Sequence, residues 1–68
     1  MNHKIINAVQ KFRTKRSVTQ EELAKAVGVT RQTIIAIEKG NYTPSVYLAL
    51  KIAAYFKICV DELFTIES

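Results

Sequence analysis

Arg31 and Gln32 are the side chains of this 68-residue sequence best equipped for recognition chemistry. A guanidinium presents a planar fork of donors that matches the O6 and N7 acceptors of guanine, and a glutamine amide matches the N6 and N7 of adenine. On an isolated helix the two would be ordinary solvated surface, so their meaning depends on the elements that hold them. Little else in the chain is suited to chemistry. Cys59 is the one cysteine and His3, near the terminus, the one histidine, which argues against a disulfide or a structural zinc site. The carboxylate pairs Glu21-Glu22 and Asp61-Glu62 have no clustered His, Cys or Ser beside them and read as first-turn helix acids. Neither an enzyme nor a bound cofactor is expected.

Residues 20–39, QEELAKAVGVTRQTIIAIEK, supply the context for Arg31 and Gln32. Thr19 stands where an N-cap belongs, and Glu22 three residues later completes a capping box. Leu23, Ala24 and Val27 recur at helical spacing on the buried side. Gly28 sits where this helix must stop, because a left-handed backbone is cheap for glycine. Thr30 caps a second helix in which Ile34 and Ile37 face inward, while Arg31, Gln32, Ile35, Ala36 and Lys39 fall on the other side. Two helices joined this closely, with a small Ala24 at their crossing, make a helix-turn-helix. Such an element sets the first turn of its second helix deepest into the DNA major groove. The pattern therefore predicts sequence-specific binding of double-stranded DNA.

Further contacts follow from this placement. Ile35 and Ala36 extend the same face by a turn and suit thymine methyl groups, although Ile35 could equally pack on a neighbouring helix. Thr33 either reaches the DNA or supports the helix start beside Thr30, itself a candidate phosphate contact. Gln20, first in its helix, can turn both its N–H and its amide toward a phosphate. Lys39, Asn41 and Tyr42 follow the second helix and suit the opposite phosphate track. Such contacts fix position rather than sequence.

The flanking sequence predicts an all-α domain of five helices spanning 1–68. A first helix is expected over about 4–16, with Ile5, Val9 and Phe12 at i, i+4 and i+7 and with Ile6 and Ala8 widening the stripe. Gly40 should end the third helix, and Pro44 should open the fourth at its first position. The fourth carries Leu48, Ala49, Ile52, Ala53 and Phe56 inward. A short fifth holds Val60, Leu63 and Phe64. No apolar run approaches the ~20 residues of a membrane span, and the N-terminus is no secretory signal. With its lone cysteine the chain is expected in the cytoplasm.

Charge agrees with this reading in sign and place. Residues 1–40 hold eight of the ten Lys and Arg but three of the six acids, whereas 41–68 hold two bases and three acids. The basic half contains the helix-turn-helix, as a protein approaching phosphates needs.

The sequence resembles the Cro and phage-repressor class of helix-turn-helix proteins, also called the xenobiotic response element family. The resemblance rests on Gln20, Leu23-Ala24, Val27-Gly28-Val29, Arg31-Gln32-Thr33-Ile34, Ile37-Glu38, Gly40, Pro44-Ser45, Ile52-Ala53 and Asp61-Glu62-Leu63-Phe64, in order from about Val9 to Phe64. It implies that Lys39, Asn41 and Tyr42 lie near the DNA backbone. It also implies that Arg13 on the first helix pairs with Glu38 at the end of the recognition helix, a structural contact. One residue departs from the pattern: Cys59 stands where the family leads one to expect a capping Ser, and a partly buried, structural cysteine with a weak cap is expected there.

The leading expectation is a homodimeric repressor acting by occupancy of a palindromic operator. With the core assigned, Tyr47, Leu50, Tyr55, Phe64 and Ile66 remain as surplus apolar groups that suit a dimer interface or a thicker core. A two-fold dimer would set its recognition helices roughly 34 Å apart, one turn of duplex. The competing class is a protein-interaction module such as an antitoxin. The short stretch after Phe64, with no added segment to grip a partner, argues against that class. No small-molecule ligand is suggested.

Overall fold

The computed structural model describes residues 4–67, so His3 lies outside the described residues. In chain order it contains β1 (Lys4–Asn7), α1 (Val9–Lys15), α2 (Gln20–Val27), α3 (Arg31–Glu38), α4 (Val46–Phe56), α5 (Val60–Leu63) and β2 (Phe64–Glu67). Three hydroxyls set the starts of the middle helices. Thr19 accepts from Glu22 N–H at 3.0 Å, Thr30 from Thr33 N–H at 3.3 Å and Ser45 from Leu48 N–H at 3.1 Å. Each bond satisfies an N–H that the helix itself leaves without a partner. Ser45 is thus the cap of α4, and Pro44 precedes the cap instead of occupying the first helical position.

The ends of α1, α2, α3 and α4 share one device. Val18, Val29, Asn41 and Ile58 each return an N–H to a carbonyl five residues back, at 2.9–3.0 Å. The residue before each has positive φ: Ser17, Gly28, Gly40 and Lys57. Glycine fills two of these left-handed positions, at Gly28 and Gly40, as expected from the sequence. Ser17 and Lys57 fill the others at φ 57° and 58°, where a Cβ costs energy.

The helices enclose a single apolar core of Val9, Leu23, Ala24, Val27, Ile34, Ile37, Leu48, Ile52, Ala53, Phe56 and Leu63, and no polar residue among the described residues belongs to it. Phe12, Val18, Val29, Ile58 and Phe64 pack around it. The Arg16 guanidinium lies 5.5 Å from the centre of the Phe56 ring and closes one side.

Two expectations are corrected at the chain ends. Residues 4–7 are not the start of the first helix but a strand, paired antiparallel to β2 with Ile5 opposite Ile66. The fold is therefore five helices with a two-stranded sheet rather than purely α. Asn7 explains the break, since its Oδ1 accepts from Val9 N–H at 3.2 Å and its Nδ2 donates to the Ile37 carbonyl at 2.8 Å. Ala8 N–H also donates to the Leu63 carbonyl at 2.8 Å, which ties both strands to the helices. Ile5 and Ile6 remain about half exposed instead of joining the core. A lone pair of four-residue strands is marginal in water, so these anchors are needed. Cys59 also departs from expectation, being exposed rather than partly buried. The Glu62 carboxylate still supplies the reciprocal half of a capping box, accepting from the Cys59 N–H at 3.0 Å.

Candidate nucleic-acid interface

The α2–turn–α3 unit forms because each of its signals is local and compatible with the next. Thr19 and Glu22 complete the capping box in both directions, with Thr19 N–H donating to Glu22 at 2.8 Å. Hydrogen bonding to its carboxyl by the Thr19 backbone N–H, and secondarily by the Thr19 side chain, holds Glu22 below its usual pKa. Leu23, Ala24 and Val27 of α2 are buried together with Ile34 and Ile37 of α3. The opposite side of α3 is left to solvent.

Along that side the predicted residues divide by exposure. Arg31 and Gln32 are exposed on the first turn, while Thr33, Ile35 and Ala36 are half-buried. The Thr33 hydroxyl lies 3.1 Å from that of Thr30, so Thr33 is engaged in the start of its own helix. Ile35 has an accessible part beside its packed part, which keeps both of its sequence-based readings open. Thr30, Lys39, Asn41 and Tyr42 are all exposed. Asn41 also closes α3 through its backbone N–H, bonded to the Ala36 carbonyl.

Behind the exposed face lies a network of ionic and polar groups. Arg13 donates to Glu38 through Nε at 2.6 Å and Nη2 at 3.1 Å, and to the Val18 carbonyl through Nη1 at 2.9 Å. The pair inferred from the resemblance is thus present and bidentate, the strong geometry for such contacts. Gln20 joins it, with Nε2 donating to Glu38 Oε1 at 3.0 Å. The Gln20 amide is therefore partly committed within the fold, whereas its sequence-based role was toward a phosphate alone. Gln20 and Arg31 line one open surface depression, shared with Arg13, Ser17 and Thr19 and rimmed by Glu21.

Sequence reasoning missed Asn7 and the Gln20–Glu38 bond. Asn7 had a usable signal, since Asn two residues before the first buried position is a helix-start type. The Gln20–Glu38 bond had none, because it joins side chains eighteen positions apart. No group of three or more potential metal ligands occurs among the described residues. No described helix is long and apolar enough to cross a membrane.

The remaining interface candidates lie on α4 and β2. Tyr47, Leu50, Tyr55 and Ile66 are exposed. Phe64 is half-buried and packs on the core. Val46, also exposed, heads the α4 stripe Val46, Leu50, Ala54 and lines an apolar groove with Ile5, Ala49, Val60 and Phe64.

Comparison with known proteins agrees with this architecture. Residues 9–63 match the helix-turn-helix family HTH_3. An uncharacterized HTH-type transcriptional regulator of Methanocaldococcus jannaschii is 51% identical over 61 residues, covering 90% of this chain and 92% of its own length. The cryptic phage CTXphi transcriptional repressor RstR of Vibrio cholerae is 33% identical over 55 residues, which are 81% of this chain and 50% of the repressor. Among solved structures, the restriction-modification controller protein C.AhdI from Aeromonas hydrophila superposes with a TM-score of 0.77 at 32% identity, over 82% of this chain and 85% of its own. The chain belongs to the HTH_3 helix-turn-helix family.

Proposed function

We propose that this protein is a transcriptional regulator that binds double-stranded DNA sequence-specifically and represses by occupying a palindromic operator as a homodimer. The observation that carries the reading is the capped, solvent-facing first turn of α3, with Arg31 and Gln32 exposed above a buried Leu23–Ala24–Ile34 seam. A rigid helix start of this kind is what base-edge recognition requires. The regulators and the phage repressor among its relatives support the same assignment. Its action is binding rather than catalysis, in the cytoplasm where the DNA is. The apolar stripe and groove around Val46, Leu50 and Phe64 support pairing of two copies through the half of the chain that carries no excess of basic charge.

Selection from a pool of random duplex DNA tests the proposal. It should return a palindromic site, and Arg31→Ala should weaken that site by roughly 1–3 kcal/mol while affecting random duplex much less. An unchanged ratio of specific to random binding would remove Arg31 from base readout. Recovery of no enriched site would favour a protein-interaction module instead.

A further inference from the structure

Glu38 ends the recognition helix, yet its carboxylate points back to the start of α2. Its side chain is 4% exposed, with Arg13 and Gln20 donating to its oxygens. An ionised carboxylate only accepts hydrogen bonds, so it selects which end of the neighbouring amide faces it: the Nε2 of Gln20, never the oxygen. One Nε2 hydrogen is used in this way, and the second remains. Gln20 also lines the open depression that it shares with Arg31 of α3.

We propose that Glu38 is a positioning residue for the DNA backbone, fixing the Gln20 carboxamide so that its second Nε2 hydrogen donates to a phosphate oxygen in this depression. The inference rests on the DNA-binding reading above. Arg13 makes the arrangement compatible with a polyanion, because its bidentate contact compensates the Glu38 charge next to the phosphate track. Glu38 thereby sets the register of α2 on the backbone while Arg31 reads from α3, and it touches neither base nor phosphate. Holding a flexible amide in its bound orientation beforehand spares an ordering cost equivalent to about three- to tenfold in affinity.

The sign of one substitution separates this role from a purely structural one. Glu38→Gln removes a negative charge near the DNA, so general electrostatics would tighten binding. Loss of positioning weakens it, because a second amide accepts either orientation of the first. The experiment is a fluorescence-anisotropy titration of a labelled mixed-sequence duplex with the wild type, Gln20→Ala, Glu38→Gln and the double variant, at a temperature where circular dichroism shows each to be folded. Glu38→Gln should weaken binding about three- to tenfold, and should add less than about twofold in the Gln20→Ala background. Equal or tighter binding by Glu38→Gln, or an equal loss in both backgrounds, overturns the proposal. Failure of the wild type to bind any duplex overturns the DNA-binding reading itself, and this role with it.

Wild-type protein alone provides a second measurement should Glu38→Gln not fold. In nuclear magnetic resonance spectra the Gln20 Nε2 proton bonded to Glu38 should resonate downfield of a free carboxamide proton and exchange slowly with solvent, and addition of the duplex should move mainly the other Nε2 proton. Two protons with free-carboxamide shifts that the duplex leaves unmoved refute the assignment.

Discussion

Arg13→Ala should be among the most damaging single substitutions outside the apolar core, and its cost can be worked from the contacts it removes. Arg13 makes two hydrogen bonds to Glu38 and a third to the Val18 carbonyl. Without it, Glu38 Oε2 loses its 2.6 Å donor and Oε1 keeps the neutral Gln20 amide, in a side chain 4% exposed. Breaking one partner out of a buried pair costs about 3–5 kcal/mol. Arg13 is 11% exposed, so water can reach the vacated space, and ~2–4 kcal/mol is the better expectation here. Glu38→Ala should cost less, ~1–2 kcal/mol, because the stranded guanidinium keeps Val18 and can extend toward solvent. The double variant should cost less than the sum, since no charge is then left alone. A domain of this size is stable by only roughly 3–10 kcal/mol. At ~4–8 °C per kcal/mol, Arg13→Ala should therefore lower the melting temperature by about 8–32 °C. Thermal and urea unfolding of both single variants and the double variant, followed by circular dichroism, make the check. Additive effects near zero would show that the pair contributes nothing. A larger loss from Glu38→Ala than from Arg13→Ala would refute the exposure argument.

Other substitutions probe other levels of the structure. Lys57→Gly should stabilise by roughly 0.5–1 kcal/mol, since Lys57 closes α4 at φ 58° where glycine is unstrained, and a fall in melting temperature would contradict this. Glu22 has a pKa lowered by its bonds to Thr19, so its contribution is full above the ordinary value of 4.5 and is lost as pH falls through the lower folded value. The gap in melting temperature between wild type and Glu22→Gln should accordingly be widest near neutrality and close on acidification; a gap independent of pH would exclude the capping carboxylate as its source. Leu50→Glu should shift sedimentation toward monomer without loss of helicity, because Leu50 is 51% exposed. It is a cleaner perturbation than one at Phe64, which packs on the core. A variant that sediments as the wild type does would move the interface elsewhere.

How far this structure was legible depended on the range of the interaction behind each feature. The α2–turn–α3 unit could be read because Thr19 with Glu22, Gly28, and Thr30 act over three or four residues, within the reach of a sequence pattern. The burial of Leu23, Ala24, Val27, Ile34 and Ile37 followed from the same spacing. Residues 4–7 were misread because Ile5 and Val9 satisfy helical spacing, while the strand is decided by Phe64–Glu67 at the other end of the chain. Ser17 and Lys57 adopt the left-handed conformation without a glycine to announce it. The Arg13–Glu38 contact was reached through family resemblance alone, since nothing in its local sequence specifies a partner twenty-five positions away.

What the long-range contacts accomplish is clearest at α3. A helix of eight residues has little stability of its own and takes its orientation from its neighbours. Its first turn is held by the Thr30 cap, which leaves Arg31 and Gln32 free. Its last turn is fastened three ways: Asn7 binds the Ile37 carbonyl, Arg13 clamps Glu38, and Gln20 links Glu38 to the start of α2. The fixed end and the reading end are thus separated along one short element. A small rotation at Glu38 would be carried to Arg31 at the opposite end, so under the proposed DNA-binding function residues far from the bases would still govern which bases Arg31 reaches. The β1–β2 sheet enters the same chain of restraint, because Asn7 is the last residue of β1 and binds α3 directly. In this fold the strand that interrupts the expected first helix therefore also supplies one of the three anchors of α3.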